Sequence, residues 1–290
     1  MKRFINSLVA ASVVSISLTA TSVNAAEQQP LWQLDGLNQP ESVLAEPNGK
    51  VLYISNINGQ PAEKNKKGYI SRATTDGKII DKHWVDGLDA PKGMAISQDH
   101  LYVADMQTLH VIRLKDGKIV KRYQVNEAKM LNDVTVGDSG EIYISDLLGG
   151  GIYRLSSGRL DAWFSHEKLP HPNGVLWSQG ALYVANWGEG MNADFSTQVP
   201  GTLYRLDIEK KELKPVPTGY ELGNLDGIVA NGNNLYVSDW ITGEIYELTE
   251  KERRKVLHVK AGLADIGGSA NGVVYAPMMM DNSVVAWQMP

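Results

Sequence analysis

The chain of 290 residues contains no cysteine and only three phenylalanines. The first absence excludes disulfides and thiolate chemistry, so packing alone must hold the fold together. Positive charge is also in the minority, with 28 Lys and Arg against 33 Asp and Glu and a net charge of −5. Nucleic-acid phosphates are met mainly by Lys and Arg, so this balance argues against a nucleic-acid partner. After residue 25 no apolar run approaches the roughly 18 residues that mark a membrane-spanning helix. A GxSxG nucleophile elbow is missing as well.

The first 25 residues read differently from the rest. Lys2 and Arg3 precede the apolar stretch FINSLVAASVVSISLTA, and Val23-Asn24-Ala25 forms a small-residue processing site. That order predicts a secretory signal peptide over 1–25, removed after Ala25, and a periplasmic or secreted protein with no stable membrane anchor after processing. Residues 26–290 then form a single domain with 26 basic and 33 acidic side chains, a net charge of −7.

What the sequence has in abundance is repetition. LYIS at 52–55, LYVA at 101–104, IYIS at 142–145, LYVA at 182–185, LYVS at 235–238 and VVYA at 273–276 start 49, 41, 40, 53 and 38 residues apart. Each is a short aromatic and β-branched run bounded by turn residues, and each is followed by further strand signals such as GYISRAT, LHVIRLK and GGIYRLS. Six units at this spacing predict an all-β fold, a six-bladed β-propeller. The stretch LWQLDGLNQP at 31–40 resembles HWVDGLDAP at 83–91, an outer strand leading into a blade that has no predecessor. The last unit lacks a fourth strand, so residues 31–34 are expected to complete it beside 283–288 and close the ring.

The turn entering each unit carries a polar residue at one equivalent position: Glu41, Lys92, Asn132, Asn173, Asp226 and Asp265. Asn and Asp favour such turns through local backbone bonds, and a ring of capped turns around a watery channel accounts for them. Six equivalent positions also converge on one axis. Glu41, Asn173 and Asp226, with Asn132 nearby, could offer oxygens to a hard divalent cation. Calcium tolerates variable oxygen coordination, magnesium asks for an octahedron, and zinc prefers Cys and His.

These residues carry a family resemblance. The six repeats, the early Glu41, MLND at 130–133, HPNG at 171–174 and LDG at 225–227 resemble the SMP-30/gluconolactonase/LRE family over most of residues 30–290. The resemblance implies a divalent cation, calcium before magnesium or zinc, at Glu41, Asn173 and Asp226, with Asn132 binding substrate or an ordered water. It further implies hydrolysis of a lactone, in particular a sugar lactone, the cation polarising the carbonyl and Asp226 helping to activate water. Two departures bear on substrate. Met130 stands where many lactonases of the family have Arg, and Glu41-Ser42-Val43 replaces Glu-Gly-Pro. A non-enzymatic propeller that binds a ligand or a protein and a metal-dependent esterase are the alternative readings, because architecture alone does not specify chemistry.

Two long insertions, 56–68 and 186–200, interrupt the same inter-strand connection in the first and fourth units. They place Asn56, Asn58, Trp187, Met191, Asn192 and Phe195 as candidates for the wall of a pocket, alongside Lys92, Met130 and His171. Asn56 also belongs with Asp105, Asp146, Asn186 and Asp239, which follow the repeated strands where an Asx side chain organises a turn.

Overall fold

The computed structural model describes residues 28–290, and the expected signal peptide lies outside them. Six four-stranded antiparallel sheets follow one another along the chain. Blade one is Pro40–Ala45, Val51–Asn56, Gly68–Thr74 and Ile79–Leu88; blade two is Pro91–Ser97, His100–Asp105, Thr108–Arg113 and Ile119–Gln124. Blade three comprises Leu131–Val136, Ile142–Asp146, Gly151–Ser156 and Arg159–Ser165, and blade four Pro172–Ser178, Ala181–Asn186, Leu203–Asp207 and Glu212–Pro215. Blade five runs Leu225–Asn231, Asn234–Asp239, Glu244–Leu248 and Arg253–His258. The sixth blade combines Gly267–Gly268, Val273–Met278 and Ser283–Gln288 with Trp32–Leu34 from the start of the described chain. The pairs Trp32 with Ala286 and Leu34 with Val284 close the ring where the sequence predicts it.

Burial follows radial position. The second strands are almost wholly buried, Ala181–Asn186 along its entire length, because both faces meet a neighbouring blade. Outer strands such as Glu212–Pro215 are largely exposed, which is why they read as charged and irregular. Six apolar clusters fill the six blade boundaries; Leu109, Leu131, Ile144 and Tyr153 are members of the one between blades two and three. A seventh cluster sits at one end of the channel. Among the described residues no helix is long and apolar enough to cross a membrane.

Two local devices place the inner strands. The first is the Asx residue ending the second strand of blades one to five. Asp105 accepts the backbone N–H groups of Asp89 and Ala90 at 2.9 and 2.7 Å, Asp146 accepts that of Met130 at 2.7 Å, and Asn56 that of Asn38 at 3.2 Å. These side chains fasten the segment that leads into the inner strand of their own blade, the structural role expected of them. The second is a register shift at the beginning of the inner strand, between Pro40 and Ser42, Pro91 and Met94, Leu131 and Val134, Pro172 and Val175, and Leu225 and Ile228. A bulge re-aims the residue inside it. Those residues are Glu41, Lys92, Asn132, Asn173 and Asp226. The glycine that follows in HPNG and LDG has its own cause: a Cβ on Gly174 would lie 2.0 Å from Asp226 O, and one on Gly227 2.3 Å from Ile266 N. Neighbouring inner strands approach too closely there for a side chain.

Candidate functional site

The five bulge residues come together at one mouth of the channel. Glu41, Lys92, Asn132, Asn173 and Asp226 form the polar floor of a cavity of about 320 Å³, near the lower end of the roughly 300–1,000 Å³ typical of small-molecule sites. All five are buried. The sixth equivalent, Asp265, points elsewhere: its carboxylate accepts the Ser42 hydroxyl and, with Asp133, lines a separate cavity of about 440 Å³.

The walls of the mouth are apolar. Ile57, Met130, Leu147, Trp187, Phe195, Trp240, Met279 and Met280 line it. Five of these, Ile57, Leu147, Trp187, Trp240 and Met279, follow directly on the second strand of blades one, three, four, five and six; Met106 is the blade-two equivalent and packs in the same cluster. Of this ring the sequence placed only Trp187 at the pocket wall, although the residue after each LYVA-like run was a signal for the others. The insertion at 186–200 folds back through a short hairpin of Gly188–Glu189 with Val199–Pro200, and Trp187 Nε1 donates to Phe195 O at 2.7 Å.

The other wall candidates are not brought into the mouth. Asn56 is fully buried and bonds Ser71 and Ile54. Asn58 holds Lys67 O, Asn192 bonds Ser196, and His171 faces Leu147 O at 3.1 Å. Met191 packs partly buried against the same apolar cluster as the ring but does not line the cavity. The other insertion contributes Gly59, Gln60 and Pro61 instead.

Electrostatics set the chemistry of the floor. Burial, reinforced by the Asp226 charge, pushes the Glu41 carboxyl well above its ordinary range, and burial with the Asp265 charge does the same to Asp226. Burial pulls the Lys92 ammonium down, against the attraction of Glu41, Asp105 and Asp226. Lys92 Nζ donates to Ala90 O at 2.8 Å and to Pro61 O at 2.9 Å, with Met106 Sδ at 4.0 Å. Asn173 Nδ2 donates to Asp226 Oδ1 at 3.0 Å and to Leu225 O at 3.2 Å.

This donor set corrects the metal expectation. Among the described residues no three His, Cys, Asp or Glu side chains form a group able to hold a metal ion. The mouth lining supplies two carboxylates, Glu41 and Asp226, and its other floor residues are two amides and a buried ammonium. The positive charge acting on both carboxylates is Lys92, and Asn173 spends its NH₂ on Asp226, which leaves one amide oxygen open beside them. The calcium, magnesium or zinc cofactor therefore does not fit, and the metal-dependent lactonase and esterase readings fall with the cation that was to polarise the carbonyl.

Comparison with known proteins agrees on the fold. No protein-family model matches the sequence, so membership of the SMP-30/gluconolactonase/LRE family is not shown, and no curated protein matches it either. Solved structures do match. A virginiamycin B lyase from Staphylococcus aureus is 17% identical, with 85% of this chain and 81% of that one covered and a TM-score of 0.60. A streptogramin B lyase is 12% identical over 89% and 97% of the two chains, with a TM-score of 0.61. A catalytically inactive histidine-to-alanine variant of the staphylococcal lyase, solved with quinupristin, is 17% identical over 88% and 98%, with a TM-score of 0.57. At these identities the shared property is the six-bladed fold.

Proposed function

We propose that the protein takes a small, largely apolar molecule bearing a lactone or ester group into the channel mouth and opens it by elimination, without a metal. The observation that carries this reading is the pair of buried carboxylates, Glu41 and Asp226, beneath an apolar wall and beside the Lys92 ammonium. A carboxylate whose proton affinity is raised by burial is a stronger base than one in water, and a water-poor pocket favours proton transfer from carbon over attack by water. In the proposed step Asp226 removes a proton from the carbon next to the one bearing the ester oxygen. The electron pair of that C–H bond forms a C=C bond, the C–O bond breaks, and its pair leaves with the product carboxylate. Asn132 and Lys92 stand on the same floor to meet the charge that develops there.

The lyase names of the fold's solved relatives support this class of reaction. The base differs from what the histidine-to-alanine variant suggests for that protein, because no histidine lines this mouth. Mass spectrometry separates the possibilities. A cyclic lactone opened by elimination gives an isomer of unchanged mass, whereas hydrolysis adds one water. The full chain, incubated with quinupristin, the molecule bound in the staphylococcal variant, and with smaller lactones and esters, should give the isomer. A water adduct would overturn the reading, and binding of the same molecules with no product would make the propeller a binding protein.

We also infer that the protein is exported, on the strength of the leader-like residues 1–25. Intact mass of the secreted or periplasmic form should begin near Ala26, and a retained leader would refute this.

A further inference from the structure

We propose that the molecule accepted by this mouth carries a protonated amine, held by Glu41 Oε2 and Asn173 Oδ1 and enclosed by the faces of Trp187, Trp240 and Phe195. The inference rests on the reading of the mouth as a small-molecule site and adds the charge and donor character of what it binds.

Two buried acceptors in the floor are left without partners, Glu41 Oε2 and Asn173 Oδ1. Their residues are 3% and 1% exposed and both line the cavity. The Asn173 amide cannot be turned to relieve this. Both partners of its Nδ2 are acceptors, Asp226 Oδ1 and Leu225 O, so the NH₂ must face them and the oxygen stays free. Lys92 does not satisfy Glu41 either, since its recorded partners are Ala90 O, Pro61 O and the Met106 thioether. An unpaired buried acceptor costs folding free energy, and such groups in a native fold commonly mark a place where a ligand donor completes the bonding.

The charge balance says which donor. Glu41, Asp133, Asp226 and Asp265 act on one another electrostatically along the channel, and Lys92 is the basic side chain prominent in acting on Glu41 and Asp226. An anionic ligand would add to an excess of carboxylates, whereas an ammonium group would offset it. An ammonium also supplies several N–H donors from one atom, enough to reach two acceptors together. The walls agree. Trp187 and Trp240 lie with ring centroids 6.1 Å apart and planes inclined by 48°, and Phe195 lines the same cavity. Aromatic faces attract a desolvated cation, and the thioethers of Met130 and Met279 add polarisable apolar surface. Met130 thus serves this pocket, where a guanidinium would repel the ligand.

Three probes of nearly equal size test the inference by calorimetric titration of the full chain at neutral pH: phenethylamine, 2-phenylethanol and phenylacetate. The amine should bind about tenfold or more tightly than the alcohol, as a charge-assisted bond requires, and the carboxylate should not bind measurably. Glu41→Gln, which keeps the shape of the floor, should erase the preference for amine over alcohol. Trp240→Leu should weaken the amine alone, and thermal melts of both variants check that the fold survives. Equal binding of amine and alcohol, preference for the carboxylate, or unchanged selectivity in Glu41→Gln would overturn it. The two proposals fail separately. Selective amine binding with no opening of amine-bearing esters removes the lyase reading and leaves this one. Elimination that ignores the amine does the reverse.

Discussion

Asn173 donates its amide to Asp226 Oδ1 at 3.0 Å across the boundary between blades four and five. That bond lowers the proton affinity of Asp226, against burial and the Asp265 charge, which raise it. As the proposed base, Asp226 must be ionised, so the rate should rise with pH through its raised pKa. Asn173→Ala removes the stabilising donor and should move the rising limb of the kcat profile to higher pH. Asp226→Asn should cost roughly 10²- to 10⁴-fold in kcat, the usual worth of a general base, with a smaller change in KM. A profile unmoved in Asn173→Ala would show that Asp226 does not carry the reaction.

Asp265 links pH to stability. Burial raises its pKa to about 7, despite the bond from Ser42 that lowers it. A carboxyl with a raised pKa in the folded state contributes stability that is complete below its unfolded value, near 4, and is lost as pH rises through about 7. Melting temperature should therefore fall by several degrees between about pH 5 and pH 8. Asp265→Asn should flatten this dependence and melt higher than the wild type at the alkaline end. A wild-type melting temperature that climbs over this range would contradict the assignment.

Much of the fold was legible because its determinants repeat. Aromatic and β-branched runs at a period near 40 define blades whatever the outer strands contain, and the orphan strand at 31–34 had no partner but the last blade. The mouth was legible only in part. The polar positions from Glu41 to Asp226 share a bulge that sequence can place by homology between repeats, yet sequence does not show which of their oxygens are already engaged. Asn173 looks wholly free in HPNG, yet its NH₂ is bonded to Asp226 and only its oxygen is left open. Lys92 meets Pro61 O, a backbone atom 31 residues earlier in an insertion, which residue types could not reveal. Apart from Trp187, the apolar ring escaped notice because its position is constant while its side chain varies from Ile57 to Trp240.

Ring closure can be tested at Trp32. Its ring lies 5.8 Å from that of Tyr275 in the sixth blade, and its Nε1 donates to Thr75 O in the first at 2.9 Å. One side chain thus ties the closing strand to both neighbours. A fully buried Trp→Ala change costs roughly 3–5 kcal/mol, and Trp32 is partly exposed, so Trp32→Ala should cost about 2–3 kcal/mol in denaturant unfolding. An equivalent change at an exposed loop residue should cost far less. Stability unaffected by Trp32→Ala would mean that the strand adds little to closure.

Removal of divalent ions tests the corrected view of the mouth. A metal that binds the folded state alone raises the melting temperature in proportion to the logarithm of its concentration. Here Glu41 and Asp226 have the Lys92 ammonium acting on both, and its positive charge opposes a divalent ion as it favours the two carboxylates. Melts in excess chelator and in excess calcium or magnesium should therefore coincide, and ester opening should proceed equally in both. Glu41→Gln should leave that indifference unchanged. A calcium-dependent rise of several degrees that disappears in Glu41→Gln would return the cation to the floor, with Glu41 Oε2 and Asn173 Oδ1 as the atoms that hold it and the protonated amine displaced from its proposed place.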